Sequence, residues 1–114
     1  MIRVYGIRNC DACRKAIRWL RDRGVKYEFV DIRSDVLDDG MLKRWQEAVG
    51  WEELLNKRSI TWRKIPAFDR SGLDSTTARQ LIQQNPTVMK RPVLDVGTGL
   101  VLGFDESAYS DLDL

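Results

Sequence analysis

Two cysteines three positions apart, Cys10 and Cys13, stand in the segment Tyr5-Gly6-Ile7-Arg8-Asn9-Cys10-Asp11-Ala12-Cys13 and are the only cysteines of the chain. A thiolate rather than a thiol attacks, and an ordinary cysteine with a pKa of ~8.5 is mostly protonated at neutral pH. Cys10 therefore needs a neighbour that stabilises its charge. A helix that starts at or just after Cys10 provides one, through its unpaired N–H groups and the positive end of its dipole. Cys13 then lies one turn further in, within reach for a disulfide but less exposed. That order makes Cys10 the nucleophile and Cys13 the resolving thiol that closes on an adduct formed at Cys10. Two plainer readings stay open: a packed residue beside an incidental surface thiol, and half of a zinc site. The chain has no histidine and no further cysteine, so zinc would need ligands from a second subunit. The same absence removes Cys-His dyads and Ser-His-Asp triads. No metal and no tightly bound cofactor are expected.

A second candidate is Arg91 in Lys90-Arg91-Pro92-Val93. Proline at the start of a strand can be an edge device, yet a cis Arg91-Pro92 bond would bring Arg91 beside the cysteine loop. A guanidinium there can stabilise a thiolate or hold an oxyanion or carboxylate bidentately; a solvated arginine is the bland alternative. Lys57, Arg58, Arg63 and Lys64 can line a groove or simply be solvated, and the remaining basic residues read as solvated helix faces. The expected substrate contacts are Asn9, Asp11, Lys57, Arg91 and Pro92. Trp19, Trp45, Trp51 and Trp62 are read as core or partly buried packing rather than a stacking platform.

These residues must be positioned by the elements around them. Residues 2–5 form a short β-prone run closed by Gly6, after which Cys13, Ala16, Ile17 and Leu20 fall at helical spacing until Gly24. That helix is basic outside and apolar inside. Alternation over residues 25–29, with Val30 and Ile32 as an extension, predicts a second strand parallel to the first. Asp38-Asp39-Gly40 begins a helix carrying Leu42, Trp45 and Val49 and ended by Gly50. Residues 51–55 read as a turn or short helix, and residues 56–72 mainly as loop. Asp74 or Ser75 caps a helix with Ala78, Leu81 and Ile82 inside, stopping before Asn85-Pro86. Residues 93–96 and 100–102, joined by Gly97-Thr98-Gly99, predict a hairpin, and a short helix closes the chain from Asp105. The order is β-α-β, a helical insertion, a β-hairpin and a C-terminal helix, the α/β layout of a thioredoxin-like fold.

At 114 residues, 43% hydrophobic and 32% charged, the chain reads as one globular domain over residues 1–114. No stretch approaches the roughly 20 apolar residues of a membrane span, and the N-terminus does not read as a signal peptide. A cytoplasmic, monomeric protein is expected, and there a Cys-X-X-Cys pair is catalytic or redox-sensing more often than structural. A net charge of +2 with interleaved signs gives no support to nucleic-acid binding.

Four motifs, taken together, resemble the arsenate reductase family, which also contains the Spx transcription regulators. They are Tyr5-Gly6-Ile7-Arg8-Asn9-Cys10-Asp11 leading into Arg14-Lys15-Ala16, then Leu54-Leu55-Asn56-Lys57-Arg58, then Thr61-Trp62-Arg63-Lys64, and Asn85-Pro86 with Lys90-Arg91-Pro92-Val93-Leu94; Gly103-Phe104 also fits. The resemblance is greatest to a small branch of glutathione-linked thiol reductases. It implies Cys10 as the catalytic cysteine, Arg91 as the active-site arginine and Pro92 as a cis-proline. Glutathione is the implied co-substrate, with glutaredoxin as a further partner. Where arsenate-reducing members carry additional arginines, this chain has Asn56 and the Gly103 region, so tight arsenate binding is not implied, and arsenate stays open as one oxyanion substrate beside disulfide and glutathionyl ones. Cys13 supplies an internal partner as in the Spx regulators, which implies an alternative: a redox switch that binds a protein such as RNA polymerase. A binding module that keeps the fold without catalysis is the third reading.

Overall fold

The computed structural model describes residues 1–114, and the chain divides into two compact units: residues 1–35 with 91–114, and Val36–Lys90. The first unit is built on β1 (Arg3–Gly6), α1 (Asp11–Asp22), β2 (Glu28–Asp31), β3 (Val93–Asp95), β4 (Leu100–Leu102) and α6 (Glu106–Ser110). Its sheet has the order β2-β1-β3-β4. β1 runs parallel to β2 with Val4 opposite Phe29, and antiparallel to β3 with Val4 opposite Leu94. The hairpin β3-β4 pairs Leu94 with Val101. This mixed sheet with its helices is a thioredoxin-like α/β fold, as expected.

Apolar spacing decides which face of each element is inside. Cys13, Ala16, Trp19 and Leu20 of α1 are buried while Arg14, Lys15, Arg18 and Arg21 are exposed. Val4, Ala16, Trp19, Leu20, Leu94 and Tyr109 form the core of this unit. Tyr109 sits edge-on to Trp19 at 5.4 Å and to Phe104 at 5.0 Å between ring centroids, the geometry aromatic quadrupoles prefer. Asp105 caps α6 by accepting from the Ser107 and Ala108 N–H groups.

The second strand departs from its expected span: residues 25–27 lie outside it. β1 begins at Arg3, whose partner is Glu28, so the residues before Glu28 face no stretch of β1 to complete a ladder. They carry the chain out of the turn at Gly24, where φ is +66° and glycine avoids the steric penalty of a side chain.

The second unit contains α2 (Asp39–Val49), α3 (Ile60–Lys64), α4 (Ala67–Arg70) and α5 (Ser75–Gln84), followed by a 3₁₀ turn at Pro86–Val88. Asp38 caps α2 through the Met41 N–H, and Asp74 and Thr77 exchange the reciprocal bonds of a capping box at α5. Leu42, Trp45, Ala78, Leu81 and Ile82 are buried. The buried amide of Gln46 donates to the Ser75 carbonyl at 2.9 Å and accepts from Arg79 at 3.0 Å, so neither half of it lacks a partner. Residues 51–54 form turns and Leu55 bridges to Met89.

The expectation of loop over residues 56–72 is corrected by α3 and α4. Ser59 accepts from the Trp62 N–H at 3.0 Å, which starts a helix too short for a periodic signature, and the buried Trp62 anchors it. Pro66 then opens α4 at the position where a missing N–H costs nothing.

Candidate active site at the start of the first helix

The cysteine loop runs from the end of β1 into α1. Cys10 is the residue before the first helical turn, with extended backbone (φ −144°, ψ 125°), and its carbonyl accepts the first helical bond from the Arg14 N–H at 2.9 Å. Cys10 is partly exposed, Cys13 is fully buried, both thiols are free, and the two cysteines approach to 3.5 Å.

Burial by itself pushes the Cys10 thiol up. It is outweighed by the Cys13 N–H and thiol, both directed at the sulfur, and by the hydrogen bond and positive charge of Arg91, so the Cys10 pKa lies below that of an ordinary thiol. The cap geometry falls short of a full side-chain hydrogen bond, but a peptide N–H at a helix start acts on a nearby anion at longer range as well. Cys13 goes the other way. Burial, and then the neighbouring Cys10, raise it to about 12 against the lowering effect of the Ile7 N–H and of Arg91. One thiol of the pair is set up to ionise and the other to stay protonated.

Arg91 is half-buried and precedes β3, and the Arg91–Pro92 peptide is cis. The guanidinium reaches Cys10, so three of the residues singled out in the sequence, Cys10, Cys13 and Arg91, come together within the first unit. Pro92 is buried beside them, 3.7 Å from the position a Cβ on Gly6 would take. Asn9 is exposed. Asp11 is exposed too, and its carboxylate accepts from Arg14 at 3.4 Å. Lys57 belongs to the second unit, where its ammonium stands 5.8 Å from the Trp62 ring centroid.

Two residues of the site carried no chemical signal in the sequence. A Cβ on Gly6 would meet Cys13 Sγ at 2.5 Å, so only glycine lets the buried thiol lie against β1. The Ile7 N–H is directed at Cys13. The sequence offered one hint, a glycine at a strand end four residues before a cysteine. No three histidine, cysteine or carboxylate side chains stand close enough to hold a metal ion.

A strand-loop-helix unit that holds a partly exposed, acidified thiol at a helix start, with a buried thiol one turn away, defines a thioredoxin-fold thiol protein. The model of the ArsC family matches residues 5–112, and the chain belongs to that family. The solved structure of a protein named YffB is 35% identical, with 96% of each chain covered and a TM-score of 0.92. An arsenate reductase (ArsC) related protein from Brucella melitensis is 40% identical, covering 99% of this chain and 95% of that one, with a TM-score of 0.75. The global transcriptional regulator Spx of Listeria innocua is 30% identical over 108 residues, 93% of this chain and 82% of its own. These likenesses point to a thiol-dependent reductase or a Spx-like regulator. No helix is long and apolar enough to cross a membrane.

Proposed function

We propose that the chain is a thiol-dependent reductase in which Cys10 attacks a disulfide or glutathionyl sulfur and Cys13 or glutathione resolves the adduct. The observation that carries this reading is the pairing of Arg91 with Cys10 at the helix start, which favours the thiolate of the one partly exposed cysteine. In the first step the Cys10 thiolate forms a bond to the glutathione sulfur of a mixed disulfide, and the substrate leaves as a thiolate that takes up a proton. Burial is the main cause of the raised Cys13 pKa and persists, but once Cys10 is bonded to glutathione its charge no longer adds to that effect, and Cys13 ionises more readily than before. Cys13 then loses its proton and attacks Cys10 Sγ, glutathione departs, and a Cys10–Cys13 disulfide remains. Two further glutathione molecules return the two electrons, leaving as glutathione disulfide. Asn9, Asp11 and Pro92 flank the reacting sulfur, and Arg91 holds an anionic group of the substrate or the departing charge. No tightly bound cofactor enters this scheme.

Replacing Cys10 with Ser is expected to abolish turnover in a glutathione-coupled assay, and undiminished turnover would sink the proposal. Mass spectrometry after treatment with glutathione disulfide separates the two resolving routes, because a glutathionyl adduct and an internal disulfide differ in mass.

The likeness to the Listeria Spx regulator over 93% of the chain, together with the closeness of the two thiols, supports a second reading: a switch that binds a protein partner differently once Cys10 and Cys13 pair. Equal recovery of the partner under oxidising and reducing conditions would remove it.

A further inference from the structure

The exposed face of α1 is not an ordinary solvated surface. Arg8, Arg14, Ile17, Arg18 and Arg21 line a cleft of about 340 Å³. Arg8 lies two residues before Cys10, held with its guanidinium 4.5 Å from the Phe29 ring centroid. Arg14, Arg18 and Arg21 follow at i, i+4 and i+7 on one helical face. Only one carboxylate answers these four cations: Asp11, itself exposed, at 3.4 Å from Arg14. Arg18 and Arg21 have no ion-pair partner. A surface meant only to be soluble intersperses its signs, whereas here four guanidinium groups line one cleft with a single carboxylate among them.

We infer that this cleft is the docking site for an acidic, extended polypeptide segment of the protein whose thiol chemistry takes place at Cys10. The inference rests on the reductase reading for its purpose, though not for its binding. Guanidinium groups hold carboxylates in a planar fork, where ammonium groups act as point charges, and every cation lining the cleft is an arginine. At about 1.5 Å rise per residue, Arg14 and Arg18 are separated by about 6 Å along the helix and Arg14 and Arg21 by about 10 Å. Alternate residues of an extended chain are separated by about 6.6 Å, so carboxylates on alternate positions match the spacing of Arg14 and Arg18. A nucleic acid fits less well, because single strands are held by stacking on aromatic rings and the one apolar residue lining the cleft is Ile17. The polarity of the helix sets the direction, since a segment lying along the ladder towards its N-terminal end reaches Arg8 and the cysteine loop.

The test uses the full chain with Cys10→Ser, so that binding is read apart from catalysis. A fluorescent peptide of alternating glutamate and threonine is titrated against it, beside a peptide with glutamine in place of glutamate and a single-stranded oligonucleotide of equal charge. The acidic peptide is expected to bind, the neutral one not, and the Arg18→Glu/Arg21→Glu variant to weaken binding by about tenfold or more. The milder Arg18→Gln/Arg21→Gln pair should give a smaller loss in the same direction. In the protein with Cys10 intact, both variants should keep the wild-type rate of alkylation by a neutral reagent, and a glutathionylated acidic peptide should lose its advantage over a neutral one. Equal binding of the two peptides, unchanged binding in the variants, or tighter binding of the oligonucleotide would each overturn the proposal. A failure of turnover with binding intact would count against the reductase reading alone.

Discussion

Gly6 on β1 and Cys13 on α1 are in such close packing that a single added carbon on Gly6 would stand 2.5 Å from the Cys13 sulfur. Real atoms do not approach so closely, so Gly6→Ala must displace either the buried thiol or the strand. A loss of about 1–3 kcal/mol in unfolding free energy is expected, the usual range for an overpacked core. Removing the sulfur in the Gly6→Ala/Cys13→Ala double variant should recover part of it. A denaturant-unfolding double-mutant cycle showing additivity would mean that the two positions do not meet as described.

Arg91 is expected to control the ionisation of Cys10 through a hydrogen bond and its charge. Arg91→Gln should shift the pH profile of Cys10 alkylation to higher pH and slow the reaction at neutral pH. In strong alkali, where the thiol is ionised in either protein, the rates should converge. An unchanged profile, measured with Cys13 replaced by alanine in both proteins, would contradict the role given to the guanidinium.

Cys13 links stability to pH in the alkaline direction. Its folded pKa, raised to about 12, exceeds the unfolded value of about 8.5, so the unfolded state loses this proton first. Its contribution is complete below about pH 8.5 and is lost as pH rises from there towards 12. Cys10 has the opposite shift, and its contribution is already constant above the unfolded value. Between roughly pH 8.5 and 10, before tyrosines titrate, stability should fall with pH in the wild type and fall less steeply in Cys13→Ala.

Leu20, fully buried in the first unit's core with Val4, Ala16 and Tyr109, should cost about 2–5 kcal/mol on replacement by alanine, since a cavity is left among side chains fixed by their own packing. By contrast, Asp74→Ala removes an exposed cap whose side chain accepts from the Thr77 N–H at 2.8 Å, and a smaller loss is expected. Thermal unfolding of the two variants should rank them in that order.

Elements held by local interactions are written in the amino-acid order. Ala16 and Leu20 at helical spacing, the Asp38 and Asp74 caps, and the glycine-threonine-glycine turn between β3 and β4 each act within a few residues, through backbone hydrogen bonds and burial of one face. The strand-loop-helix order around Cys10 was legible for the same reason, and so was the closeness of Cys10 to Cys13. The helices over Ile60–Lys64 and Ala67–Arg70 were not, because a single turn has no period to read and is held by the burial of Trp62. Nor was the start of β2, which depends on where β1 offers a partner. The chemistry of the two thiols comes instead from contacts between distant parts of the chain. Arg91, eighty-one positions after Cys10 in the sequence, meets its sulfur, while Gly6 leaves just the space that lets Cys13 be buried. Charge and desolvation act through space, so the same residue type is pushed down at one position and up at the other three residues later.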